Sequence, residues 1–373
     1  MEVKNEQISA MLAERITAGD FASAVYLVAE RGQIIFTDAV GLAVRSPEPI
    51  PATKDTIYDL ASLTKPLVTG LLLASGIERG AYNLSDPIAR FLPELDTADK
   101  RAITIQQLAT HSSGLTPWKP LYVLANGDRS RVVELIAAEE LEYAPGTAVR
   151  YSDLGFILLG EMIARESGRT LDDAAREIIF APLSLADTGF NPPGARRTRI
   201  AASEKGNGFE REKAAGMGLG GSYAGWREDV IWGEVHDGNA YFLGGVAGHA
   251  GLFSTARETM QIAQQFIARS SQLLKPETCA GFANILTPGL EESRSVTWQL
   301  ASTHESAAGP DLPPDAFGHL GFTGTSCWID SVRERVYVLL TNRTHDHPLP
   351  FVLINDTRRR FHSLAAAALD ELA

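Results

Sequence analysis

Hydrophobic and polar residues follow two different periods along the chain, one at its ends and another in its middle. Ser23–Glu30 (SAVYLVAE) is dense in apolar and β-branched residues, and Gln33–Val40 repeats that character after Arg31-Gly32. The pair reads as a β-hairpin closed by a tight Arg-Gly turn. Near the other end, Thr323–Asp330 and Arg335–Asn342 (RVYVLLTN) read as a second strand pair. Outside them, Ile8, Met11, Leu12 and Ile16 fall on one face of an amphipathic helix, and Val352–Leu372 reads as a terminal helix with a basic patch at Arg358–Arg360. The middle is helical. Leu67–Ile77 is apolar nearly all round, so a buried helix is expected there. Ile103–Thr110, Val132–Glu139, Leu154–Ser167 and Leu171–Phe180 follow the helical period, with Gly168 placed to end the third. Thr255–Ser270 is another helix, opened by Thr255 with Glu258 three residues on, a capping-box spacing. Glycine-rich Gly206–Gly225 reads as a mobile loop and Ser302–Pro314 as a surface excursion.

Strands at both termini and helices between them predict an α/β fold: an antiparallel sheet from both ends, flanked by helices, beside an all-helical insert. The division falls at residues 1–60 with 255–373 for the sheet part and 61–254 for the insert, with an active site at their interface.

The length of 373 residues and a 45% hydrophobic content allow one large composite unit or two intimate domains. A formal net charge of −12 argues against nucleic acid as a partner, since phosphate neutralisation needs excess Lys and Arg, and fits a small-molecule or peptide substrate. Cys279 and Cys327, far apart, make no disulfide scaffold. The longest apolar run, Pro66–Ile77, is too short for a membrane span. The first residues show no secretory signal, so a soluble chain is expected, cytoplasmic as written and periplasmic if a leader has been removed. His345 and His347, two apart, give a weak metal suggestion.

Three short stretches carry candidate chemistry. In Ser62-Leu-Thr-Lys65, a helix beginning at Ser62 puts both side chains on one face. The positive end of that helix favours a developing alkoxide, and a lysine whose pKa is lowered by burial and other cations can take the serine proton. Ser62 as a mere cap and Lys65 as a surface lysine is the plain alternative. Tyr151-Ser-Asp153 follows the Pro145-Gly146 turn at a helix entrance, where a phenol beside lysines can ionise early and act as a base; Asp153 as a helix cap is the alternative. His319-Leu-Gly321-Phe322-Thr323-Gly-Thr-Ser leads into a strand whose glycines let a substrate backbone approach and whose amides can stabilise an oxyanion; a functionless glycine-rich strand entry reads equally well.

The order Ser62-x-x-Lys65, Tyr151-x-Asp153, His319-x-Gly321 resembles the three signature motifs of the class C β-lactamase and penicillin-binding-protein superfamily. Thr110-His-Ser-Ser-Gly114-Leu and Gly248-His-Ala-Gly251-Leu-Phe-Ser-Thr255 are similar to segments of its esterase and DD-peptidase-like branches. The resemblance implies a β-lactamase/transpeptidase-like fold and a serine hydrolase that acylates Ser62, acting on a small ester or a D-Ala-type peptide. Lys65 would hold or take the serine proton and Tyr151 would relay it. His319 would stand in the place of the third-motif cation, and the Ser62 and Phe322 amides would form the oxyanion hole. No metal or cofactor is implied. A true β-lactamase and a penicillin-binding sensor that does not turn over share the same motifs. A Ser-His-Asp hydrolase is disfavoured because no Gly-x-Ser-x-Gly surrounds Ser62.

The chain also departs from the pattern. Asp153 stands where many relatives have asparagine, and an ionised carboxylate cannot donate to a substrate amide. Leu320 stands where β-lactamases usually have threonine, leaving Thr323 as the substitute hydroxyl. His319 is cationic only when protonated. These departures predict weak binding of anionic substrates, improving towards pH 6. Among lesser candidates, His236 and Asp237 border the cleft in the resemblance, His111 and His249 read as local hydrogen-bonding residues, and Trp118, Trp226 and Trp232 as packing residues.

Overall fold

The computed structural model describes residues 3–221 and 223–372. Ten strands follow in chain order: β1 Ser23–Glu30, β2 Gln33–Val44, β3 Ile50–Pro51, β4 Tyr58–Asp59, β5 Gly189–Phe190, β6 Leu252–Ser254, β7 Gln299–Leu300, β8 Phe317–Leu320, β9 Ser326–Asp330 and β10 Arg335–Thr341. Seven form one antiparallel sheet in the order β3-β2-β1-β10-β9-β8-β7, so the two chain ends meet where β1 pairs with β10. The β1–β2 turn has Arg31 at φ 48° and Gly32 at φ 77°, the geometry that matches the twist of a two-residue hairpin.

Alternate residues of β1 enter different cores. Tyr26 and Val28 pack with Ile8, Leu12 and Phe361 beneath the helices Glu6–Thr17 and Asn355–Asp370. Val25 and Leu27 join Leu67, Leu71 and Met260 on the opposite face. Both faces are covered, which is why β1 and β10 read as continuous apolar runs rather than as an alternation.

The helix Asp153–Ser167 is capped by Ser152, whose hydroxyl accepts from the Gly155 amide, and ends at left-handed Gly168 (φ 66°). Asp153 is therefore not the cap. Thr255 does cap the helix Ala256–Ala263, but Glu258 does not close the expected box. Its carboxylate instead accepts from the Ala186 and Asp187 amides and the Thr188 hydroxyl.

Three expectations need correction. The middle of the chain holds a small sheet, β4-β6-β5, whose strands of two or three residues are too short to show a period. Residues 206–225 are not merely a loop, because Gly208–Gly216 is a helix. Ser302–Pro314 is no simple excursion: Ala307, Ala308 and Leu312 are buried, and the Ala307 carbonyl accepts from His362 Nδ1 of the terminal helix. No helix among the described residues is long and apolar enough to cross a membrane.

Candidate active site

Strand β4 delivers the chain to Ser62 through a strained turn. Ala61 adopts φ 46°, a left-handed conformation that costs a non-glycine residue roughly 1–3 kcal/mol. It is held there by its amide, which donates to Asp59 Oδ1 at 2.8 Å. A 3-10 turn (Ala61–Leu63) and a π-wound stretch (Lys65–Gly70) then lead into the α-helix Leu71–Glu78, where the sequence predicted one plain helix. Ser62 is left partly exposed while Leu63, Thr64 and Lys65 are buried. The Thr64 hydroxyl donates to the Ala61 carbonyl and accepts from the Leu252 amide, which ties the turn to β6.

The Lys65 ammonium has three acceptors: Ser62 Oγ at 2.9 Å, Asp153 Oδ1 at 2.7 Å and the His249 carbonyl at 3.1 Å. The third is in reach because Gly248 lies against the helix Asp153–Ser167. A Cβ on Gly248 would collide with the Phe156 carbonyl and with Gly160. Burial alone drives the lysine pKa down, but Asp153 and Tyr151 outweigh it, and the net position lies above the ordinary lysine value. The expectation of a lowered lysine is thus reversed, because its nearest bonded partner, Asp153, is a carboxylate.

Tyr151 lies against the His111 ring, with centroids 4.4 Å apart, and His111 Nδ1 accepts from the Ser152 amide at 3.0 Å. Lys65 Nζ is 4.8 Å and the Arg294 guanidinium carbon 5.9 Å from the Tyr151 ring centre. Burial raises the Tyr151 pKa above the usual phenol value, and Lys65 offsets this only in part. The phenol is neutral in the resting site, contrary to the early ionisation expected.

The third stretch closes onto the first. Gly321 is required here: a Cβ would fall on Thr325 Oγ1 and within 2.6 Å of the Leu60 carbonyl, two residues before Ser62. Thr325 donates to the Leu60 carbonyl and Thr323 to the Asp59 carbonyl. Thr323 is buried and does not line the cavity, which removes it as the substitute substrate-binding hydroxyl. His319 Nδ1 lies 2.8 Å from the Leu320 carbonyl, so it carries the proton, and Nε2 is a buried acceptor without a partner among the described residues. Burial, with Lys65 and Arg294 adding to it, holds the His319 pKa well below the usual histidine value. His319 is therefore not a cation in this site. The Phe322 amide finds no acceptor within the described protein.

Ser62, Tyr151, Asp153 and His319 line a cavity of about 500 Å³ that also takes in Leu320, Gly321 and Phe322. His236 lines it too, but its Nε2 is bonded to Glu204 at 2.8 Å, and that carboxylate raises its pKa against the effect of burial. His249 Nε2 is bonded to Asp237, which also caps the helix Gly238–Phe242. Reading from sequence missed several lining residues. Glu210 accepts from Tyr122 and the Gly238 amide, and burial beside Asp237 pushes its pKa up to about 7. Lys213 sits over Trp118, 4.3 Å from the ring centre, so Trp118 is a wall of the cavity as well as a packing residue. Trp226 and Trp232 lie outside it.

Arg343 and Arg358 are the other omission. Arg343 donates to the Phe322 and Val352 carbonyls; Arg358 donates to the Gly321 and Thr325 carbonyls and to Asn355 Oδ1. Neither has a carboxylate partner among the described residues, and Arg358 Nε has no acceptor. Burial lowers the pKa of both, Arg343 lowering that of Arg358 further, yet a guanidinium remains charged at neutral pH. Away from the site, His345 accepts from the Arg45 amide and donates to the Ser203 carbonyl; with both ring nitrogens used, it is unavailable to a metal.

Compared with known proteins, residues 8–357 match the family model described as Beta-lactamase. The chain belongs to the β-lactamase family. It is 32% identical to an Escherichia coli (strain K12) protein provisionally named a D-alanyl-D-alanine carboxypeptidase, over 91% of this chain and 82% of that one. A Salmonella typhimurium (strain LT2) protein of the same provisional name is 29% identical over 92% and 83%. Among solved structures, a penicillin-binding protein homologue from Caulobacter crescentus superposes with a TM-score of 0.72 at 22% identity, covering 99% of each chain. A class C β-lactamase from Rhodobacter sphaeroides gives 0.72 at 21%, covering 99% of this chain and 100% of that one. The family chain is thus a hydrolase of the β-lactamase and penicillin-binding-protein superfamily, with the β-lactamase/transpeptidase-like fold.

Proposed function

We propose that this protein is a serine hydrolase working through an acyl-enzyme on Ser62, on an ester or amide substrate that carries a carboxylate. The observation that carries the first half is the contact of Lys65 Nζ with Ser62 Oγ at 2.9 Å on the wall of a cavity. The free-amine form of Lys65 takes the Ser62 proton as Oγ attacks the carbonyl carbon. Negative charge then develops on the carbonyl oxygen, between the amides of Ser62 and Phe322. Tyr151 gives its proton to the leaving group and recovers it through Lys65. Water repeats the sequence in reverse, adding to the acyl carbon, returning the proton to Ser62 and releasing the acid.

The second half rests on Arg343 and Arg358. Two neighbouring buried guanidiniums without carboxylate partners are unfavourable on their own, and a bound anion relieves that cost. A D-alanine-terminated peptide, the substrate class in the names of the relatives at 32% and 29% identity, presents such a carboxylate. A β-lactam presents one too, which keeps β-lactamase as the second reading. The test is intact-mass spectrometry after exposure to penicillin and to a fluorophosphonate. Wild type gains one adduct and Ser62→Ala gains none. Labelling of Ser62→Ala at the wild-type level removes Ser62 as nucleophile. Decay of the penicillin adduct on standing separates β-lactamase turnover from stable acylation.

A further inference from the structure

The asparagine-to-aspartate departure at position 153 has a geometric consequence. Asp153 Oδ1 is 2.7 Å from Lys65 Nζ, closer than Ser62 Oγ or the His249 carbonyl. Lys65 is fully buried, whereas the Asp153 side chain keeps 18% exposure at the cavity wall. Three acceptors satisfy all three N–H groups of an ammonium; a neutral amine has only two to give. An asparagine in this place could accept one of these bonds but would bring no charge. Because Ser152 caps the helix, Asp153 is free to serve the lysine instead.

We propose that Asp153 is a positioning residue that locks Lys65 in its charged form in the resting enzyme and thereby sets the pH range in which Ser62 is activated. This rests on the assignment of Ser62 and Lys65 as the acylating pair. The lock stores the proton: before Ser62 can lose its own, Lys65 must release one to solvent, so the active fraction grows with rising pH. The remaining groups around the lysine do not provide the lock. Tyr151 is neutral, its pKa raised by burial. His319 and His111 are buried and held neutral. Arg294 opposes a second cation nearby, and the Phe156 ring, 5.7 Å away, carries no formal charge. Lys213, also on the cavity wall, is a further cation that feels Asp153. The Asp237 carboxylate also acts on Lys65, but it is bonded to His249 and the Ala240 amide.

The sign is unambiguous. Removing the countercharge lowers the lysine pKa, so free amine is present at lower pH and the acid limb of kcat/KM moves down. An opposite charge at this distance is worth about one to three pH units. The experiment follows p-nitrophenyl acetate kcat/KM and the rate of fluorophosphonate labelling across pH in the full chain. Asp153→Asn should move the acid limb of both to lower pH by about one to three units. Asp153→Ser, which leaves the Ser152 cap in place, should move it in the same direction. Asp237→Asn, which removes a countercharge not bonded to Lys65, should move it less than either Asp153 variant. An unmoved limb in both Asp153 variants overturns the proposal, as does an equal shift in Asp237→Asn. Ser62→Ala run alongside separates the outcomes. If it still labels, the acyl-enzyme reading has failed; if it is silent and the limb stays put, only the lock has failed.

Discussion

The two walls of the cavity handle charge in opposite ways. On the wall built from the central segment, two short, bonded pairs of titratable groups stand out: Lys65 with Asp153, and His249 with Asp237. On the wall built from the final strands and terminal helix, Arg343 and Arg358 are held by backbone carbonyls and an amide oxygen, with no carboxylate partner to either among the described residues. Paired groups can exchange a proton at little electrostatic cost because the net charge of the pair is conserved. Unpaired guanidiniums cannot lose a proton and instead hold a fixed positive potential. The first wall is suited to moving protons and the second to holding an anion, and the Gly321–Thr325 turn joins them, through Thr325 to the Leu60 carbonyl and through the Gly321 carbonyl to Arg358.

Substitutions on the two walls should therefore differ in how they depend on substrate charge. The largest effect is expected on the proton-handling wall. Tyr151→Phe should lower kcat by roughly 10²–10⁴-fold, the usual scale for loss of a general acid or base. The loss should be similar for a neutral p-nitrophenyl ester and for a carboxylate-bearing substrate. Full ester turnover in Tyr151→Phe would reduce that residue to packing against His111. On the other wall, Arg358→Gln removes a charge but also loosens the Gly321 and Thr325 carbonyls, so both substrates should suffer. The informative quantity is the ratio of the carboxylate substrate's kcat/KM to that of the ester. A hydrogen bond to a charged group is worth about 1.5–3 kcal/mol, so this ratio should fall by roughly 10- to 100-fold. An unchanged ratio would mean that Arg358 only braces the loop.

The same contrast explains what could be read from the chain. Ser62 with Lys65, Tyr151 with Asp153 and His319 with Gly321 are short-range patterns, and the fold brings five of the six to one cavity, with Lys65 buried behind its wall on Ser62 and Asp153. The hairpins were legible because β1, β2 and β10 are long enough to show their apolar character. Arg343 was hidden because a single arginine after a strand has no pattern around it. Arg358 left a usable trace, since it shares the buried stripe of its helix with Phe361, Ala365 and Leu369, and a charge on a core stripe calls for an explanation. Glu210 and Lys213 were hidden by the flanking glycines, which disguised the helix Gly208–Gly216. Protonation states were the least legible feature. Whether Lys65 is pushed up or down depends on Asp153, 88 positions away in sequence.

His319 should give the smallest effect, and it sharpens the comparison most directly because its motif position predicted a cation. Its Nδ1 proton is committed to the Leu320 carbonyl, so protonation would add a buried Nε2–H with no acceptor. Burial, Lys65 and Arg294 each oppose that charge and depress the pKa well below the usual histidine value. A histidine with a depressed pKa stays neutral as pH falls through 6.5 and gains charge only well below it. His319 should therefore add nothing to the pH dependence of the carboxylate-substrate to ester kcat/KM ratio between about pH 8 and pH 6. Arg343 and Arg358 keep their charge throughout, and any rise in that range belongs to Glu210, which takes up a proton at about pH 7. His319→Gln, which retains an acceptor, should show the same pH profile of the ratio as wild type. Paired kcat/KM measurements across that range decide the matter. A ratio that climbs towards pH 6 in wild type and not in His319→Gln would show that His319 charges with substrate bound, and would move anion recognition from the arginine wall to the third motif.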